Sequence, residues 1–148
     1  MLNDLYSEKI LIAAAAIPPA RRLSSPDASA RKVSRVCGSE VTVDLVLQEG
    51  VVADFGVEAK ACALGQASSS IVARNIIGAA PGELFAVRDL MRAMLKDGGA
   101  PPAGERWREL EALSAIRDYP QRHASTLLVF DAVCEALETL GFTRDNKS

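Results

Sequence analysis

The sequence predicts an α+β fold: a three-stranded antiparallel sheet, run as a meander, packed against several helices. Three observations carry this. Three strand-like runs follow one another between residues 31 and 59 with only short turns between them. From Cys62 onward the pattern changes to helical segments bounded by Gly and Pro. Strands first and helices after, in a chain of 148 residues that is 49% apolar, describe one two-layer domain covering 1–148.

The elements are justified in chain order. Leu2 to Ala16 suits a helix, with Asn3 or Asp4 as cap and Pro18-Pro19 as stop. Arg21 to Ala30 is polar and small, a loop. Arg31 to Val36 alternates weakly, and Val41, Val43 and Leu45 alternate cleanly with Thr42, Asp44 and Val46. Val51 to Ala59 is the third strand. Cys37-Gly38-Ser39-Glu40 and Gln48-Glu49-Gly50 are short enough to be hairpin turns, so the sheet is antiparallel with helices on one face. Ala63 to Ile77 is a small-residue helix ending at Gly78, and its Ser68-Ser69-Ser70 run is a tightly packed helix start. Pro81 to Leu95 is a helix begun by proline and ended by Asp97-Gly98-Gly99. Trp107 to Ile116 is a third helical piece. The last helix runs from about His123 or Ser125 to Leu140 and closes at Gly141.

Composition excludes several function classes. Seventeen Lys and Arg against nineteen Asp and Glu give a net charge of −2, without the basic footprint of nucleic-acid or anionic-membrane binding. No stretch approaches the roughly 20 apolar residues that span a bilayer. The apolar run Ile10 to Ile17 follows acidic Asp4 and Glu8 and leads into Pro18-Pro19, unlike a signal peptide. A cytoplasmic protein is expected. Three cysteines at irregular spacing do not form a disulfide framework and are expected as free thiols.

Two of those thiols fall at element ends. Cys37 lies in the first turn, and Cys62 lies where the third strand hands over to a helix, a position whose dipole favours the thiolate. Strand ends joined by a meander can lie side by side, so the two sulfurs either converge or are small buried hydrophobes. Cys134 is in phase with Leu127 and Leu137 and is a core residue. It lies nine residues beyond Ser125, on the opposite helix face. His123, the single histidine, is a surface or capping residue or a third ligand beside the two cysteines.

These residues carry a resemblance. Leu5-Tyr6-Ser7-Glu8-Lys9-Ile10, Cys37-Gly38 before an alternating strand, and Cys62 followed by Ala67-Ser68-Ser69-Ser70 resemble the NifU/IscU-type iron–sulfur cluster assembly scaffolds. Leu110-Glu111-Ala112-Leu113, Tyr119-Pro120, Arg122 and Leu128 resemble the SufU branch most closely. The resemblance runs from about Tyr6 to Leu140 and implies a SufU/IscU-like scaffold fold. For SufU-like members it also implies a site of three Cys and one Asp. Here the Asp after Cys-Gly is Ser39, the third ligand cysteine falls on Ser125, and the basic residue before it is Ala124. Glu40 and His123 are the nearby groups that could substitute. The Leu-Pro-Pro-Val-Lys stretch that recruits a chaperone in IscU-like members reads Asp118-Tyr119-Pro120-Gln121-Arg122.

The resemblance implies a non-enzymatic role. A partner cysteine desulfurase would place persulfide sulfur on Cys62 or Cys37, iron would join, and the labile iron–sulfur cluster would pass to apo iron–sulfur acceptor proteins. Zinc is the alternative metal. Thiolates suit both, whereas a neutral serine hydroxyl is a poor soft-metal ligand. The second reading is an interaction paralogue that keeps the fold and docking surface without the metal site. A Cys–His thiol enzyme built on Cys62 and His123 has no supporting motif.

Overall fold

Alternation in the central strand sets the architecture. In the computed structural model, which describes residues 8–35 and 38–143, β1 (Ala28–Val33), β2 (Glu40–Gln48) and β3 (Val51–Lys60) form an antiparallel sheet in the order β1-β2-β3. Val41, Val43 and Leu45 of β2 are fully buried on one face, where Ala30 and Val57 flank Val43, and Ala28 and Phe55 flank Leu45. The first strand starts three residues earlier than its expected span of Arg31 to Val36. Its core-facing positions are Ala28 and Ala30, too small to give a strong apolar alternation, and their size lets a helix lie close over them.

The β2–β3 hairpin closes on two residues, Glu49 (φ 54°) and Gly50 (φ 80°), with Gln48 paired to Val51. Two left-handed residues in succession give the type I′ turn, whose twist matches the strands. Val46 pairs with Asp54 but Leu47 with Val52, which leaves Ala53 as the extra residue of a bulge. The outer edge of β3 is not left open. The Val52 N–H donates to Ala79 O (2.9 Å), the Gly78 N–H to Val52 O (2.8 Å), and the Arg21 N–H to Val57 O (3.2 Å).

The segment before β1 straps the outer face of the sheet. Asp44 points away from the helices yet is fully buried, because Arg22 donates to it through Nε (2.6 Å) and Nη2 (3.0 Å) and the Leu23 N–H donates at 2.9 Å. The Ser29 hydroxyl donates to the same carboxylate. Burial pushes the Asp44 pKa up. The hydrogen bonds from Arg22, Ser29 and Leu23, with the Arg22 charge, outweigh it and hold the carboxyl below its ordinary value.

The helices are α1 (Glu8–Ala15), α2 (Ala63–Asn75), α3 (Pro81–Asp97) and α4 (His123–Thr139). Helix α1 corresponds to the described part of the expected Leu2–Ala16 helix. Helix α4 is central: it packs on β1 and β2, with α2 and α3 also against it, so Ser125 and Cys134 are both buried although they lie on opposite faces. Ser68, Ser69 and Ser70 are fully buried in α2, as their small size requires of a helix clasped by α1 and α4.

The expected helical piece near Trp107 to Ile116 is a 3-10 helix, Arg108–Asp118. Trp107, Leu110, Leu113 and Ile116 recur every third residue, and a three-residue turn stacks them along one buried line. A second, short 3-10 turn, Pro120–Arg122, feeds directly into α4. Among the described residues no helix is long and apolar enough to cross a membrane.

Candidate functional site

Three element ends meet at one rim of the sheet. The turn between β1 and β2 is closed by the Ser34 N–H donating to Ser39 O and the Gly38 N–H donating to Ser34 O, both at 2.8 Å. Gly38 takes φ 73°, a conformation that glycine adopts without steric cost. The turn delivers Ser39, buried, to the start of β2. Cys62 is the N-cap of α2, in extended conformation, with its thiol partly exposed. Ser125 lies in the first turn of α4 and is 1% exposed.

The side chains touch. Cys62 Sγ lies 3.3 Å from Ser125 Oγ, and Ser125 Oγ lies 3.4 Å from Ser39 Oγ. The first distance is ordinary for a sulfur hydrogen bond and the second is long for a pair of hydroxyls. Three of the residues singled out from sequence are therefore in one crevice: Ser39, Cys62 and Ser125. Cys37 lies outside the described residues.

Each of the two candidate substitutes has bonding partners of its own. Glu40 accepts a hydrogen bond from Arg31 Nη2 at 2.6 Å, and that bond, helped by the Arg31 charge against the cost of desolvation, holds its carboxyl below its ordinary pKa. His123 is buried, with Nε2 3.0 Å from Ile116 O and 3.2 Å from Arg117 O. Both partners are carbonyls, so Nε2 carries the proton and donates. The ring is thereby tied to the end of the long 3-10 helix, and Nε2 is spent.

Geometry and chemistry diverge when the crevice is tested against a metal. Tetrahedral ligands at bonds of roughly 2.0–2.3 Å lie about 3.3–3.8 Å apart. The observed 3.3 and 3.4 Å separations match the edges of such a tetrahedron. The donors do not match: two of the three are neutral hydroxyls, which soft metals bind poorly. Among the described residues no group of three or more His, Cys, Asp and Glu side chains could hold a metal ion.

Gly65 belongs to the site although the sequence did not single it out. A Cβ there would meet Ala61 Cβ at 2.7 Å, Ser125 Oγ at 3.0 Å and Ser125 O at 3.3 Å, so α2 and α4 approach this closely only because position 65 has no side chain. The available signal was a glycine inside a helical pattern, where it costs about 1 kcal/mol relative to alanine and so marks a packing constraint. Among the described residues Arg122, which precedes α4, has its Nε buried without a hydrogen-bond partner and its guanidinium in no ion pair.

Comparison with known proteins agrees with the fold. A solved nitrogen-fixing NifU-like protein (N-terminal) from Brucella abortus is 48% identical, with a TM-score of 0.91 over 95% of this chain and 96% of that one. A chain from Fervidobacterium islandicum AW-1, described as an iron–sulfur cluster assembly scaffold protein for the SUF system, is 21% identical with a TM-score of 0.82 over 91% of this chain and 98% of that one; it supports the fold. The iron–sulfur cluster assembly scaffold protein IscU of Thermotoga maritima is 29% identical over 109 residues, 70% of this chain and 72% of that protein. Its counterpart in Streptococcus pyogenes serotype M1 is 28% identical over 102 residues, 69% of this chain and 64% of that protein. The NifU-like N terminal domain model matches residues 15–126, three-quarters of the sequence, and the chain belongs to that family of iron–sulfur cluster assembly scaffolds.

Proposed function

We propose that this protein works in iron–sulfur cluster assembly as a scaffold or sulfur acceptor, with Cys62 as the residue that receives sulfur and Cys37 as its partner thiol. The observation that carries the reading is the convergence of Cys62, Ser125 and Ser39 from three element ends in one crevice. These are the positions at which the resemblance places scaffold ligands. A partly exposed thiol at a helix start is open to a partner and is held by a rigid sheet and a central helix. The sulfur donor is a cysteine desulfurase, and the recipients are apo iron–sulfur proteins. Iron and sulfide are cargo in this reading.

The test is anaerobic incubation with a cysteine desulfurase and cysteine, followed by peptide-resolved mass spectrometry, iron and sulfide quantitation and a visible spectrum. Sulfur on Cys62 that disappears in Cys62→Ser supports the proposal. Failure of the desulfurase to bind the chain or to load any of its cysteines overturns it.

A further inference from the structure

We infer that the open edge of β1 is a docking strand for an extended segment of a partner protein, one that carries an acidic residue two positions after an apolar one. Docking there requires no sulfur on Cys62 and is read out separately from it.

The two edges of the sheet differ. The outer edge of β3 is bonded by Gly78, Ala79 and Arg21, whereas β1 has β2 as its single neighbour. The register pairs Lys32 with Val41 and Val33 with Glu40, and the Ser34 N–H donates to Ser39 O on the β2 side. Ladder bonds alternate along an antiparallel strand. Ala28, Ala30 and Lys32 therefore turn their backbone groups to β2, and Ser29, Arg31 and Val33 turn theirs outward. Among the described residues no hydrogen bond reaches those outward groups. The same three residues are the exposed ones of the strand, Val33 at 46%. A row of N–H and C=O groups open to solvent is what extended peptides complete by strand addition.

Charge decides the occupant. From Ala28 to Ser39 the chain carries Arg31, Lys32 and Arg35 and no acidic residue. Arg31 donates from Nη2 to Glu40 yet its side chain remains 60% exposed, and Arg35 is exposed. Pairing with a second copy would lay Arg31 and Lys32 against their own counterparts, so like charges oppose a β1–β1 dimer. An acidic strand has the complementary sign. Alternate residues of a strand share a face. The partner residue opposite Arg31 thus lies beside a cation on the outer face of the sheet. The partner residue opposite Val33, two positions away, lies beside an exposed apolar side chain. Read antiparallel, the partner segment is apolar-x-acidic. Because β1 leads into the turn that delivers Ser39, this segment runs along the sheet margin toward the crevice.

The experiment titrates the isotope-labelled full chain, at low ionic strength, with the capped peptide acetyl-Thr-Val-Thr-Glu-Thr-Thr-Ser-amide or the same peptide with Lys in place of Glu. The Glu peptide should shift the amide resonances of Ser29, Arg31 and Val33 and slow their hydrogen exchange. The Lys peptide should bind roughly three- to tenfold more weakly, the change from an exposed ion pair to a repulsion. Arg31→Glu should reverse that preference. Val33→Pro should abolish binding and stay folded, since proline is tolerated where an edge N–H faces solvent. Should Val33→Pro fail to fold, the preference of Arg31→Glu decides. Absence of shifts at β1 with millimolar Glu peptide, or equal affinity for the two peptides, overturns the inference. Protection of the three amides that rises with protein concentration, without peptide, assigns the edge to a second copy and overturns it too. Each of these results leaves desulfurase-dependent loading of Cys62 intact.

Discussion

At the scale of single residues, the strongest local constraint lies on the outer face of the sheet rather than at the crevice. Asp44 is a buried charge that tolerates its position only because Arg22, Ser29 and the Leu23 N–H all donate to it. Arg22 is half exposed and can return to water, so removing the acid costs less than breaking a fully buried pair. Asp44→Asn should therefore destabilise by about 1–3 kcal/mol at pH 7, measured by urea unfolding. The pH dependence has a fixed sign. The folded-state pKa is depressed, so the stabilisation is fully present above the unfolded value of about 3.9 and is lost as pH falls through the lower folded value. The gap between wild type and Asp44→Asn should be widest at neutral pH and narrow below about pH 4. An equal gap at pH 7 and pH 3 would contradict this account.

At the scale of elements, two contacts decide the geometry. The approach of α2 to α4 depends on Gly65, and Ala61 Cβ and Ser125 Oγ leave no room for a methyl group. Alanine improves helix propensity by about 1 kcal/mol, yet Gly65→Ala should lower stability by about 1–3 kcal/mol because overpacking dominates. Adding Ala61→Gly should recover part of that loss, since it removes the tightest clash. A Gly65→Ala protein as stable as wild type in chemical denaturation would refute the close approach. The hairpin offers the opposite experiment. Glu49 holds φ 54° beside Gly50 in a turn that prefers Asn-Gly. Glu49→Asn should raise the unfolding midpoint, by about 0.5 kcal/mol in stability, and a fall would argue against the type I′ assignment.

At the scale of the whole molecule, α4 organises two faces with different duties. Ser125 on one face meets α2 at the crevice, while Cys134 on the other donates from Sγ to Leu84 O of α3 at 3.7 Å. Burial pushes the Cys134 thiol up to about 12, Arg88 pulling it slightly the other way and Asp131, Asp89 and Glu138 adding to the rise. Native alkylation followed by peptide mass spectrometry should label Cys62 rapidly and leave Cys134 unmodified. Labelling of Cys134 should appear only with urea, with the slope of global unfolding, because a residue enclosed by α3 and α4 is exposed only when the core opens. Rapid labelling of Cys134 without denaturant would show that the core around α4 opens locally.

Local pattern was enough for the sheet, its antiparallel sense, the helical order after Cys62 and the core role of Cys134, because alternation, turn residues and caps act over a few residues. The same motifs carried the family resemblance and brought Cys37, Ser39, Cys62 and Ser125 forward as a set, with Glu40 and His123 as substitutes. The start of β1 was not legible, since Ala28 and Ala30 are core residues only because α4 lies on them. The 3-10 form of Arg108–Asp118 was present in the three-residue spacing of Trp107, Leu110, Leu113 and Ile116, but burial on one line against the core is what selects it over an α-helix. Gly65, the strap held by Asp44, and the commitment of His123 Nε2 to Ile116 and Arg117 depend on contacts between distant segments. No local pattern encodes such contacts, because each exists only after burial removes the water that would otherwise take its place.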